Sequence, residues 1–126
     1  MKRNEWLKQP DDSSLFFKKN AKHDLVKKAK EYININYRGK FCIDYVSSAL
    51  YVNKYYLMRT FKELTGSTLL KYLNEVRCAS AKEMLEKTDT NIEIIAYSVG
   101  YATASHFAKV FKSIYGKTPS AIRAGL

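Results

Sequence analysis

Arg59, Lys62, Lys109 and Lys112 are cationic side chains at matching places in two stretches of one pattern. The first stretch reads Leu57, Arg59, Phe61, Lys62, Gly66 and Thr68, and the second reads Phe107, Lys109, Phe111, Lys112, Gly116 and Thr118. Each pair is separated by the same 50 residues. A guanidinium can fork onto a guanine edge, and an ammonium meets a phosphate as a point charge. Neither group breaks bonds unaided. Two copies of one cationic, helix-ending unit point to two copies of one reading head for nucleic acid rather than to catalysis.

The balance of charge agrees. The chain has 126 residues, a formal charge of +10 and 46 % hydrophobic residues, a globular composition with an excess that favours polyanions. Lysine outnumbers arginine 17 to 5, which an AT-rich genome produces without any purpose, so composition alone does not decide the matter. Enzyme chemistry finds no nucleophile with a base, no acidic pair at catalytic spacing and no glycine-rich phosphate loop. Cys42 and Cys78 form no CxxC pair, and His23 and His106 complete no zinc spacing. The expectation is therefore no metal and no cofactor, with both cysteines as small core residues. No apolar run approaches the roughly 18 residues that span a bilayer, and Leu15, Phe16 and Phe17 are too short a core for a secretion signal. The expected setting is cytoplasmic, with no membrane partner.

These heads need elements to hold them. With five Gly, two Pro and no sustained strand alternation, the chain reads as all-α, with about seven helices. Residues 1–20, with isolated Trp6 and a break from Pro10 to Ser14, read as a linker or tail, the end of a connection to a further N-terminal region. The domain proper is expected over 21–126. Its first helix runs from about Lys22 to Tyr37, with Leu25, Ala29, Tyr32, Ile33 and Asn36 at helical spacing. A helix over about 44–50, a turn at 51–53 and a helix over 54–65 make the first helix-turn-helix, expected over about 44–65. Thr68 then caps a linker helix to about Lys87, roughly 28 Å long, with Leu69, Tyr72, Leu73, Val76, Ala79, Met84 and Leu85 along its apolar side. The second helix-turn-helix covers about 92–115, and Thr118 with Pro119 opens a last short helix.

Each helix-turn-helix buries an apolar knot: Val46, Leu50, Leu57 and Phe61 in the first, Ile95, Val99, Phe107 and Phe111 in the second. The opposite faces then project outward. Base-facing candidates are Lys54, Tyr55, Met58 and Arg59 in the first unit and Thr103, Ala104, Ser105, His106 and Lys109 in the second. Asn53, Lys62 and Lys112 are placed to meet phosphates. Met58 and Ala104 suit a thymine methyl.

The motif set resembles the AraC/XylS-type regulators: Arg77, Ala81, Met84 and Leu85 on the linker helix, Ile92, Ile95 and Ala96, Gly100 and Tyr101, Phe107, Phe111 and Lys112, then Gly116, Thr118, Pro119 and Arg123. The match covers about residues 22–125. It departs from the pattern at Ser47, where the first unit usually has Ala, at Tyr101 for the usual Phe, and at Lys109 for a frequent Arg. The resemblance implies two helix-turn-helix lobes on a long central helix and transcription regulation, usually activation. It also implies double-stranded promoter DNA as partner, RNA polymerase as a further one, and an N-terminal sensor or receiver domain. A rival reading from the residues is a basic helical adaptor that binds RNA or protein with no DNA sequence preference.

Overall fold

A computed structural model of the chain describes residues 10–126, with side chains from residue 20 on. Among these residues there are seven helices and no strand: α1 (Pro10–Asn36), α2 (Ile43–Ala49), α3 (Lys54–Thr65), α4 (Leu69–Lys87), α5 (Ile92–Ser98), α6 (Ala104–Tyr115) and α7 (Pro119–Ala124). The all-α expectation holds, and α3, α6 and α7 have the bounds that the sequence suggests. Trp6 lies outside the described residues.

The main difference is α1, which starts at Pro10 rather than near Lys22. Proline is a favoured first helical residue, because it has no N–H to leave unpaired there and its φ is already helical. No Gly or Pro follows until Gly39. The feature that reads as a break is thus a start, and the helix reaches well back into the stretch expected to be a tail.

The chain folds into two apolar clusters strung on α4. Leu25, Val26, Ala29 and Ile33 of α1 pack with Val46, Leu57, Phe61, Leu69 and Leu73. Cys78, Ala81 and Leu85 pack with Ile95, Ala96, Val99, Tyr101, Phe107 and Phe111. Phe61, Phe107 and Phe111 are wholly buried, each contributing on the order of 3 kcal/mol of apolar transfer. Along α4 the buried positions are Leu69, Leu73, Arg77, Cys78, Ala81 and Leu85. Ala79, expected on this side, is exposed. Two cores share the helix, and the stripe turns as it passes from one to the other.

Local signals fix the ends. The Asn53 side chain accepts from Tyr55 N–H at 2.8 Å and Tyr56 N–H at 3.3 Å, capping α3. The Thr68, Thr103 and Thr118 hydroxyls each accept at 3.1 Å from the backbone three residues on. Gly66 and Gly116 close α3 and α6 with φ of 80° and 74°, a left-handed conformation that costs glycine little. Arg123 reaches from α7 to the carbonyls of Leu85, Thr88 and Thr90, at 3.3, 3.0 and 2.5 Å, tying the end of α4 into the second lobe.

Candidate nucleic-acid interface

Helices α2 and α3 pack together as one bihelical unit, and α5 and α6 as another. Within α3, Leu57, Thr60 and Phe61 are buried, which turns Tyr55, Met58, Arg59 and Lys62 outward. Within α6, Phe107 and Phe111 are buried, and Ser105, His106, Lys109 and Lys112 face outward. A 3.6-residue repeat requires this division, and it sets one polar or basic face on each second helix. Lys62 and Lys112 stand in the last turn of their helices, where a cation also suits the negative end of the dipole.

Four sequence candidates behave differently. Ala104 is not outward: it packs against the second core, because it lies one turn before Phe107 and Ala108 on their face. Lys54 is partly covered; its Nζ sits 3.3 Å from Asp44 Oδ1 and 5.4 Å from the centre of the Tyr55 ring, which bridges α2 to α3. Asn53 and Thr103 are exposed, but their side-chain oxygens already hold the N-terminal turns of α3 and α6. Their remaining N–H or O–H can still donate. His106 is exposed and meets the Tyr101 ring edge-on at 5.4 Å, so its position is set from beneath.

The two faces are unequal. Beside α3 lies an open groove of about 790 Å³, lined by Phe41, Ile43, Tyr55, Met58, Arg59 and Leu70 among others. The second face carries Ser, His and Lys, with no comparable aromatic residue. Tyr51, in the turn before α3, is 95 % exposed and holds a left-handed φ of 57°. In the sequence it reads only as part of the turn at 51–53. Its counterpart in the other turn is Gly100, φ 113°, and that correspondence is the signal available in the sequence.

The departures from the pattern have visible consequences. Ser47 is buried, and its hydroxyl donates to the Asp44 carbonyl one turn back at 3.2 Å, so its polar group is satisfied within α2 itself. The Tyr101 hydroxyl donates to Asn74 Oδ1 at 2.8 Å and lies 3.7 Å from Cys78 Sγ. Burial pushes its ionisation well above the ordinary tyrosine range, with Cys78 adding to the effect. Cys42 stands at the N-cap position of α2, makes no side-chain capping bond and is partly exposed, whereas Cys78 is buried; both are free thiols. No described helix is long and apolar enough to cross a membrane.

Two bihelical units, each with a capped, outward second helix and joined by one long helix, define a tandem helix-turn-helix protein. The helix-turn-helix domain family matches residues 46–125, and the chain belongs to this family in its AraC-type form. It is 37 % identical over 93 residues to the bifunctional transcriptional activator/DNA repair enzyme AdaA of Bacillus subtilis, covering 74 % of this chain and 44 % of that protein. It spans between 22 and 56 % of the length of seven further curated relatives. Among solved structures it is similar to the C-terminal domain of AraT, a response regulator from Geobacillus stearothermophilus. That match has 30 % identity and a TM-score of 0.77, over 81 % of this chain and 85 % of that one. The C-terminal domain of the two-component response regulator yesN from Fusobacterium nucleatum is also similar, with 30 % identity and a TM-score of 0.72 over 82 % and 98 % of the two chains.

Proposed function

We propose that this chain binds duplex DNA sequence-specifically and regulates transcription, with α3 and α6 each entering a major groove. One observation carries the reading: the same bihelical unit occurs twice, and each time the second helix buries its phenylalanines and presents a polar or basic face. Successive major grooves on one side of DNA lie about 34 Å apart, and a linker helix of roughly 28 Å, with the bulk of each lobe, holds two heads near that separation. In this reading Arg59 pairs with a guanine edge, and Tyr55 and Met58 lie against thymine methyls. Ser105, His106 and Lys109 form the reading set of the second head. Lys62 and Lys112 hold phosphates, helped by the free donors of Asn53 and Thr103.

The name of the Bacillus relative, an activator, and those of the two response regulators support a role as the output domain of a larger, signal-controlled activator. A sensor or receiver domain, RNA polymerase as a partner, and action in the cytoplasm belong to the same reading. The chain is not an enzyme in it: the relative's repair activity belongs to a protein of which this chain matches less than half.

Selection of bound duplexes from a random pool, at about physiological salt, tests the function directly. Two short sequence blocks one helical turn apart are expected. No enrichment, with binding that vanishes as salt rises, would refute sequence reading and leave a basic adaptor.

A further inference from the structure

Where the two apolar cores adjoin at Tyr37, a buried arginine lies between them. Arg77, midway along α4, is only 7 % exposed. Its Nε donates to the Tyr37 carbonyl at 2.8 Å and its Nη2 to the Gly39 carbonyl at 2.9 Å, both just past the end of α1. Its guanidinium lies 5.2 Å from the centre of the Tyr101 ring. The opposite wall is Gly100, in the turn that leads into α6. A Cβ at Gly100 would stand 2.7 Å from Arg77 Nε and 2.8 Å from the Tyr37 carbonyl oxygen. Tyr37 itself packs against both cores, and its hydroxyl meets Ser80 on α4 at 3.0 Å. The end of the first lobe's α1 is thus pinned, through one side chain, to the turn that aims the second lobe's reading helix.

We propose that Arg77, clamped between the Tyr37 and Gly39 carbonyls and the Gly100–Tyr101 turn, is the positioning residue that fixes the two reading heads relative to each other and thereby sets the half-site spacing the chain accepts. The proposal rests on the two-headed DNA reading above. A planar fork can satisfy two carbonyls and stack on a ring at once, whereas a lysine is one flexible point donor. Each base pair added between half-sites turns the second by about 34° around the duplex axis. A clamped pair of heads cannot follow that rotation, and a loosened pair can.

The test measures affinity for duplexes carrying both selected half-sites, with the spacer lengthened or shortened by one or two base pairs. Duplexes with a single half-site serve alongside. For the wild type, the best spacing should exceed its neighbours by about tenfold, the scale of one lost base-pair contact. In Arg77→Lys that ratio should fall toward one, while single-half-site affinity stays within about twofold of wild type, a small change on the same scale. If the variant binds every duplex proportionally less and keeps the wild-type spacing ratio, Arg77 serves stability alone and the proposal is overturned. Gly100→Ala, which drives a methyl into the guanidinium, provides the same readout should Arg77→Lys not fold. Residual dipolar couplings of the wild-type chain give a check free of any variant: α3 and α6 should fit one alignment tensor, and two separate tensors would overturn the clamp. A wild type without any sequence preference refutes the two-headed reading itself, and does so before spacing is varied.

Discussion

Arg59 and Lys62 are one helical turn apart on the same exposed face of α3, yet their chemistry assigns them different tasks. Arg59→Ala should cost about 1–3 kcal/mol on the cognate duplex and relax preference at one base pair, with little change on random DNA. Lys62→Ala should weaken all duplexes alike and lower the salt slope by about one. Titrations on cognate and random duplexes at several salt concentrations separate the two, and equal loss on both for Arg59→Ala would show the assignment to be wrong. The cysteines give a second prediction at this scale. Cys78 is fully buried and burial pushes its thiol pKa up, so it is neutral and shielded, while Cys42 is partly exposed at the cap of α2. An aromatic disulfide reagent at neutral pH should therefore titrate one thiol quickly, and the second only with unfolding. Two fast thiols in the native chain would contradict the packing around Cys78. Arg59 was readable from its spacing to Leu57 and Phe61. Ala104 was not, since an alanine fits either face and only its contact with the second core places it.

The elements that begin with a polar cap and end with a glycine were the legible ones. For α3, α6 and α7 those residues stand at the ends, and the backbone follows them. The start of α1 was hidden because a proline marks a break and a first helical turn with the same residue. The inner face of α4 was only half legible: apolar periodicity finds Leu69, Leu73 and Leu85, picks Ala79 where Ala81 is the buried alanine, and gives no reason to bury an arginine among them. That requires the carbonyls of Tyr37 and Gly39, about forty residues away in the chain. The caps carry a prediction of their own. Asn53→Ala should lower stability by about 1 kcal/mol, whereas Asn53→Asp should leave it nearly unchanged, because aspartate caps as well as asparagine. DNA affinity should fall in both variants, more in Asn53→Asp, where a negative charge faces phosphates. Thermal melting beside DNA titration measures the pair. Equal destabilisation by both substitutions would mean that the cap contributes little to α3.

At the scale of the whole molecule the two heads are not equivalent. Between Lys22 and Glu63 nine basic residues face four acidic ones, and between Asp89 and Arg123 four face two. Of the latter four, Arg123 is committed to three backbone carbonyls. Attraction to the phosphate backbone therefore comes mainly from the first lobe. The same lobe has the groove beside Tyr55, Met58 and Arg59, whereas the second presents smaller polar groups and a lysine without the fork of an arginine. Both differences act in one direction. On a duplex with both half-sites, scrambling the site of the first head should abolish specific binding, and scrambling the site of the second should leave a weaker but still sequence-dependent complex. Raising the salt should narrow the gap, because the complex left on the first head depends on more cation–phosphate contacts than the one left on the second. Competition titrations with each half-site scrambled, at low and physiological salt, measure this, and Arg59→Ala identifies which half-site belongs to which head. Equal losses from the two scrambles would mean that the clamp at Arg77 makes the heads act as one unit, outweighing their difference in charge.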